Sequence, residues 1–153
     1  MTEGMEGGLP SATADFLEVG KIVTLPMDTI TRTQLALYAG ASGDHNPIHI
    51  DIDFARAAGM PDVFVHGMLG MAFLGRLLTS TVGPECIRSF SVRFVSVINV
   101  GDRLICSATV TQCELAEGVA SVTLELSAAN QAGDVKIVGA AELTIPLLER
   151  AGR

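Results

Sequence analysis

Two pieces of sequence decide the fold and the chemistry of this chain. The first is Tyr38-Ala39-Gly40-Ala41-Ser42-Gly43-Asp44-His45-Asn46-Pro47-Ile48-His49-Ile50-Asp51, and the second, after a short helical pattern, is Phe64-Val65-His66-Gly67-Met68. Four residues separate Asp44 from His49. Pro47 fixes φ between them and Asn46 has the side chain to bond its own backbone, so the loop reads as rigid. Gly67 opens a run that is apolar on every face, which predicts a buried helix over residues 67–80. Gly70, Ala72 and Gly75 in that run predict a close approach of strands or of a partner helix. A carboxylate, an imidazole and the N-terminus of a buried helix are the parts of an acid–base site acting on a polarised carbonyl.

Working outward, residues 1–14 are rich in glycine and small side chains without periodicity and read as a flexible N-terminal arm. A first strand is predicted over 19–27. Thr31 and Gln34 have capping-box spacing ahead of a helix over 34–41, which Gly40 and Gly43 end. Asp51 or Asp53 caps a short helix over 54–58, stopped by Gly59 and Pro61. Strands follow the long helix. Residues 89–98 place Phe90, Val92 and Phe94 on one face and Ser91 and Arg93 on the other. Further strands run over 103–115 and 135–147. Between those two, Ala120, Val122, Leu124, Leu126 and Ala128 alternate with polar residues, a period of two that implies one wet face. One buried helix and several long antiparallel strands pack most economically as an α+β domain over residues 15–153, a curved antiparallel sheet wrapped around a central helix.

Composition sets the outer bounds. The chain has 153 residues, 48% of them hydrophobic and 18% charged, enough for one core and more apolar than a monomer needs, so a homodimer is expected. No apolar run approaches the roughly 20 residues that span a bilayer. A net charge of −7 argues against nucleic acid as a partner and requires a local basic patch for any anionic ligand. Cys86, Cys106 and Cys113 are odd in number and lack CxxC spacing, which reads as reduced, packed thiols in the cytoplasm. No set of His, Cys and carboxylates has metal-ligand spacing, so no metal is expected.

Ser42-Gly43-Asp44-His45-Asn46-Pro47-Ile48-His49 strongly resembles the signature of the MaoC-like, (R)-specific enoyl-CoA hydratases (hydratase 2). His66-Gly67-Met68-Leu69 resembles the family's second element, and with Val100-Gly101-Asp102 the likeness runs from about residue 17 to 148. The resemblance implies the hot-dog fold. It also implies a hydro-lyase that adds water to trans-2-enoyl-CoA, giving (R)-3-hydroxyacyl-CoA, with no cofactor beyond the coenzyme A carried by the substrate. His49 would activate the water, and Asp44 would hold it and help pass a proton to the α-carbon. The Gly67 amide would polarise the thioester.

An Asp-x4-His pair alone is more often a turn-capping Asp beside a satisfied loop His; the full eight-residue block supports catalysis. Asn46 reads equally as an orienter of the pair or as turn chemistry. Ser42 can bond within the motif, His66 braces the loop, and Tyr38 packs beneath it. His45 is incidental. Arg88 and Arg93 could meet phosphates, though a solvated strand face is the plainer reading. Met68, Met71, Phe73 and Leu74 could line an acyl tunnel, though at helical spacing they read more simply as core. Three other functions stay open: a 3-hydroxyacyl-carrier-protein dehydratase, a thioesterase, and a noncatalytic acyl-binding hot-dog subunit.

Overall fold

The computed structural model describes Thr13 and residues 15–147. Five strands, β1 (Ile22–Pro26), β2 (Ile87–Phe94), β3 (Ile105–Ala116), β4 (Val119–Ala129) and β5 (Val135–Pro146), form one antiparallel sheet in the order β1-β3-β4-β5-β2. The helices α1 (Arg32–Ser42), α2 (Ile52–Ala57) and α3 (Gly67–Thr81) all lie between β1 and β2 in sequence. The α+β expectation holds.

β3, β4 and β5 form a meander. Glu117 (φ 50°) and Gly118 (φ 77°) make a two-residue turn between β3 and β4, the backbone handedness that matches strand twist. Along β4 the alternation is complete: Ala120, Val122, Leu124, Leu126 and Ala128 are buried while Ser121 and Glu125 are exposed. That apolar row is the floor on which α3 packs, through Leu69, Phe73, Leu74, Leu77 and Leu78. Each such leucine, fully buried, contributes about 1.5–3 kcal/mol. A Cβ on Gly70 would lie 2.7 Å from the Cδ1 atoms of Ile98 and Ile137, so this glycine is what lets the helix approach β5 closely.

The structure corrects the sequence reading in several places. α3 is not buried on every face: Met68 is 57% exposed, and Ala72, Arg76 and Thr79 continue an open stripe along the helix. Strand β1 is shorter than expected, and β2 stops at Phe94, where the Val95 and Ser96 amides both donate to the Lys136 carbonyl. Phe94 is therefore 50% exposed instead of following Phe90 and Val92 toward the core. The predicted arm, at 1–12 and 14, falls outside the described residues, but Thr13 is buried and its Oγ1 donates to the Thr81 carbonyl at 2.8 Å. Thr13 thus belongs to the body of the domain.

Candidate active site

The segment after α1 is braced by its own side chains. Thr31 Oγ1 accepts the Gln34 amide at the start of α1, and Gly43, at φ 77°, caps its end by donating to the Ala39 carbonyl. Three bonds of the same kind follow: Ser42 Oγ accepts from the Asp44 amide (3.1 Å), Asp44 Oδ1 from the Asn46 amide (3.3 Å), and Asn46 Oδ1 from the Ile48 amide (3.2 Å). Pro47 opens a 3₁₀ turn over Pro47–His49, and Asp51, not Asp53, then caps α2. Ser42 and Asn46 thus act through the backbone, as turn chemistry predicts.

This bracing leaves Asp44 exposed at the surface and turns His49 inward, to 8% exposure. His49 Nδ1 lies 2.7 Å from the Phe64 carbonyl oxygen. A carbonyl only accepts, so Nδ1 carries the hydrogen and Nε2 carries the lone pair of a base. His66 lies 1% exposed behind it, its ring stacked on His49 with centroids 4.0 Å apart. His66 Nε2 donates to the Asp44 carbonyl at 3.2 Å, and Tyr38 meets the ring edge-on at 4.8 Å. Burial, and then the neighbouring His49, hold the His66 imidazole below its usual range.

Donor atoms of Asp44, His49 and His66 all fall within 4.8 Å of one another. Among the described residues no direct hydrogen bond joins the Asp44 carboxylate to His49, and the gap suits one bridging water. The same three donors could be approached by a divalent ion, though the Phe64 and Asp44 carbonyls already hold one nitrogen on each imidazole.

Gly67 is the first residue of α3, with His66 at its N-cap. Its N–H has no acceptor inside the helix and stands at the positive end of the helix dipole. It borders an open cleft of about 290 Å³ whose walls include Phe64, Phe94, Val95, Val97 and Ile98. The Phe94 ring lies over Gly67, 3.2 Å from where a Cβ would stand. The structure therefore gathers Asp44, His49, His66 and Gly67, with Ser42 and Asn46 bracing them. The loop 95–98 went unread in the sequence, where it passed as the end of a strand; its signal is a run of apolar residues left exposed beyond the last ladder pair.

Other candidates fall elsewhere. Arg93 borders a depression of about 600 Å³ across the sheet with Ser91, Ser107, Thr109 and Glu125, and Arg88 lies beside Glu142. Neither place includes the dyad or Gly67, so the plain reading of a solvated strand face fits both. Phe73 and Leu74 are core, and Met68 is exposed. Burial pushes the Cys106 thiol up to about 11, an inert packed group.

Residues 17–132 match the MaoC like domain family. This chain belongs to that family. MaoC-like relatives include an (R)-specific enoyl-CoA hydratase of Rhodospirillum rubrum, 33% identical over 120 residues that span 77% of this chain and 81% of that one. An (R)-hydratase from A. caviae involved in PHA biosynthesis superposes with a TM-score of 0.75 at 27% identity, covering 85% of this chain and 98% of the other. The R-hydratase PhaJ1 from Pseudomonas aeruginosa does so with a TM-score of 0.75 at 29% identity over 90% of both. The MaoC-like chain thus has the hot-dog fold expected of it.

Proposed function

We propose that this chain is a hydro-lyase for reversible syn hydration of trans-2-enoyl-CoA to (R)-3-hydroxyacyl-CoA. The observation that carries the reading is the orientation of His49: its Nδ1–H is spent on Phe64, so Nε2 is the base, with the Asp44 carboxylate close to the same imidazole and a helix N–H at the cleft. In the forward direction His49 Nε2 takes a proton from water as its oxygen bonds to C3. The C2–C3 π pair shifts to form a C1–C2 double bond as the carbonyl π pair moves onto the thioester oxygen, where the Gly67 N–H holds the enolate. The imidazolium then gives that proton up, with Asp44 helping the relay, to C2 on the same face, which completes the product and restores the neutral base. One catalytic face makes the addition syn; the (R) hand follows the reaction of the relatives.

The reading includes no cofactor beyond the substrate's coenzyme A. It also includes work in the cytoplasm, supported by the free thiols of Cys86, Cys106 and Cys113. Among the described residues no helix is long and apolar enough to cross a membrane. A homodimer is part of it too: β2 ends the sheet with an unpaired edge, and beside it stand the exposed Phe94 and Val95 and the open stripe of α3. An enoyl-carrier-protein substrate would use the same chemistry, but a net charge of −7 suits an acidic carrier poorly.

The test is incubation of the purified chain with trans-2-butenoyl-CoA in heavy water, followed by resolution of the product. The (R) product labelled syn at C2 is expected. An (S) product, or no turnover with any enoyl thioester, would overturn the reading. Sedimentation of an active monomer at micromolar concentration would remove the dimer.

A further inference from the structure

The hydration chemistry uses His49, Asp44 and Gly67 and leaves unexplained the second imidazole sealed among them. His66 donates from Nε2 to the Asp44 carbonyl, so its Nδ1 bears the lone pair, and among the described residues that buried atom has no partner. A buried acceptor left unmade is a cost that folded proteins rarely carry. A phenylalanine or leucine would avoid it. In exchange, the ring gains position. One face lies on His49 at 4.0 Å with 26° between planes, Tyr38 packs edge-on at 4.8 Å, and the backbone leads directly into Gly67. His66 therefore touches the acid loop, the base and the start of the oxyanion helix at once.

We propose that His66 is a positioning residue of the hydration site: a neutral Nε2–H imidazole that fixes the backbone of Asp44 and presents an uncharged ring face to His49 as that ring takes up the proton of water. The inference rests on the hydro-lyase reading and gives its base a support. Two stacked imidazolium rings would repel. A neutral ring face attracts the cation instead. The orphaned Nδ1 enforces this choice, because a second hydrogen there would find no acceptor.

The full-length chain tests this through the His66→Gln, His66→Phe and His66→Leu variants and through ¹⁵N NMR of the wild-type imidazoles. Gln keeps an N–H for the Asp44 carbonyl, Phe keeps the ring face, and Leu keeps neither. Gln and Phe should each lower kcat about tenfold and Leu about 10²-fold, with KM for enoyl-CoA held within about twofold. The wild-type His66 resonance should show a neutral Nε2–H tautomer. A folded Leu variant with wild-type kcat, a loss confined to KM, or a wild-type Nδ1–H or doubly protonated ring would each overturn the proposal. The tautomer decides it where the variants fail to fold. A wild-type chain inert to every enoyl thioester sinks the hydro-lyase reading instead, a result distinct from an active wild type with unaffected variants.

Discussion

Replacing Asp102 by asparagine should weaken both the fold and substrate binding, by amounts the structure sets. Asp102 Oδ2 accepts the Asn99 amide at 2.8 Å and lies 3.9 Å from Lys136 Nζ, while Oδ1 accepts from Asn130 Nδ2 at 3.2 Å. The two side chains of the pair are 9% and 8% exposed. Lys136 reaches inward because β5 bulges there: Ala128 pairs with Ile137 and Ala129 with Val135, so Lys136 and Ile137 are both buried in succession. At this separation opposite unit charges attract by about 4 kcal/mol at an effective dielectric near 20. Removing one partner of a buried pair costs roughly 3–5 kcal/mol. The gap is too long for a hydrogen bond, which puts Asp102→Asn near the lower end, about 3 kcal/mol. In a domain of this size that is roughly 6–12 °C in Tm.

The functional consequence of losing Asp102 comes from the other end of the same lysine. The Lys136 carbonyl accepts the Val95 and Ser96 amides at the start of the loop walling the cleft beside Gly67, and Asp102 accepts the Asn99 amide just past its end, so the ion pair ties the loop on both sides. KM for enoyl-CoA should rise several-fold while kcat, which depends on an untouched dyad, changes little. Urea unfolding of Asp102→Asn, Lys136→Met and the double variant closes a cycle, with an expected coupling of about 2 kcal/mol. Additive losses, with coupling below about 0.5 kcal/mol, would refute the ion pair as the link.

Asp44→Asn and His49→Gln should each cut hydration at least about 10²-fold while leaving the melting temperature near wild type; a near-normal rate in either dismisses the dyad. Because His66 is held below 6.5 in the folded chain, the unfolded chain binds its proton first on acidification. Stability should therefore fall as the pH drops below about 6.5, and less steeply in His66→Phe; urea midpoints that stay parallel on acidification would contradict it. A Cβ at residue 139 would stand 2.3 Å from the Ser91 carbonyl oxygen, so Gly139→Ala must push β2 from β5 and cost about 1–3 kcal/mol; an unchanged melt would show that the strands yield freely.

The strand pattern was legible in the sequence because β4 has one wet face: each side chain from Ala120 to Ala128 declares its side by polarity. The rigid loop bearing Asp44 and His49 was legible for a different reason. The side-chain caps that bend the chain from Ser42 to Asp51 each lie within a few residues, so local sequence holds most of the instruction, and only the Phe64 and His66 bonds to His49 and Asp44 come from afar. Where contacts are distant the sequence is silent. Lys136 reads as an exposed strand lysine until the bulge and Asp102 meet. Phe94 continues the period of β2 until the ladder ends under it. His66 sits one residue before a helix, and nothing near it in sequence tells that its ring will lie on His49. The open stripe of α3 misled through composition alone, since an apolar residue on a helix does not say whether its own chain covers it.

The strand order carries a consequence for how the molecule assembles. β3, β4 and β5 pair with sequence neighbours through short turns, whereas Ile22 must find Thr109 across most of the chain, and β2 must reach past two strands to β5. Such closures spend chain entropy before they are rewarded, and they come late in folding. The segment bearing Asp44, His49 and Gly67 is strung between those two late-docking edges. A refolding molecule therefore builds its meander first and the loop of Asp44 and His49 last. Returning activity then clocks the final step, trailing the recovery of sheet measured by circular dichroism.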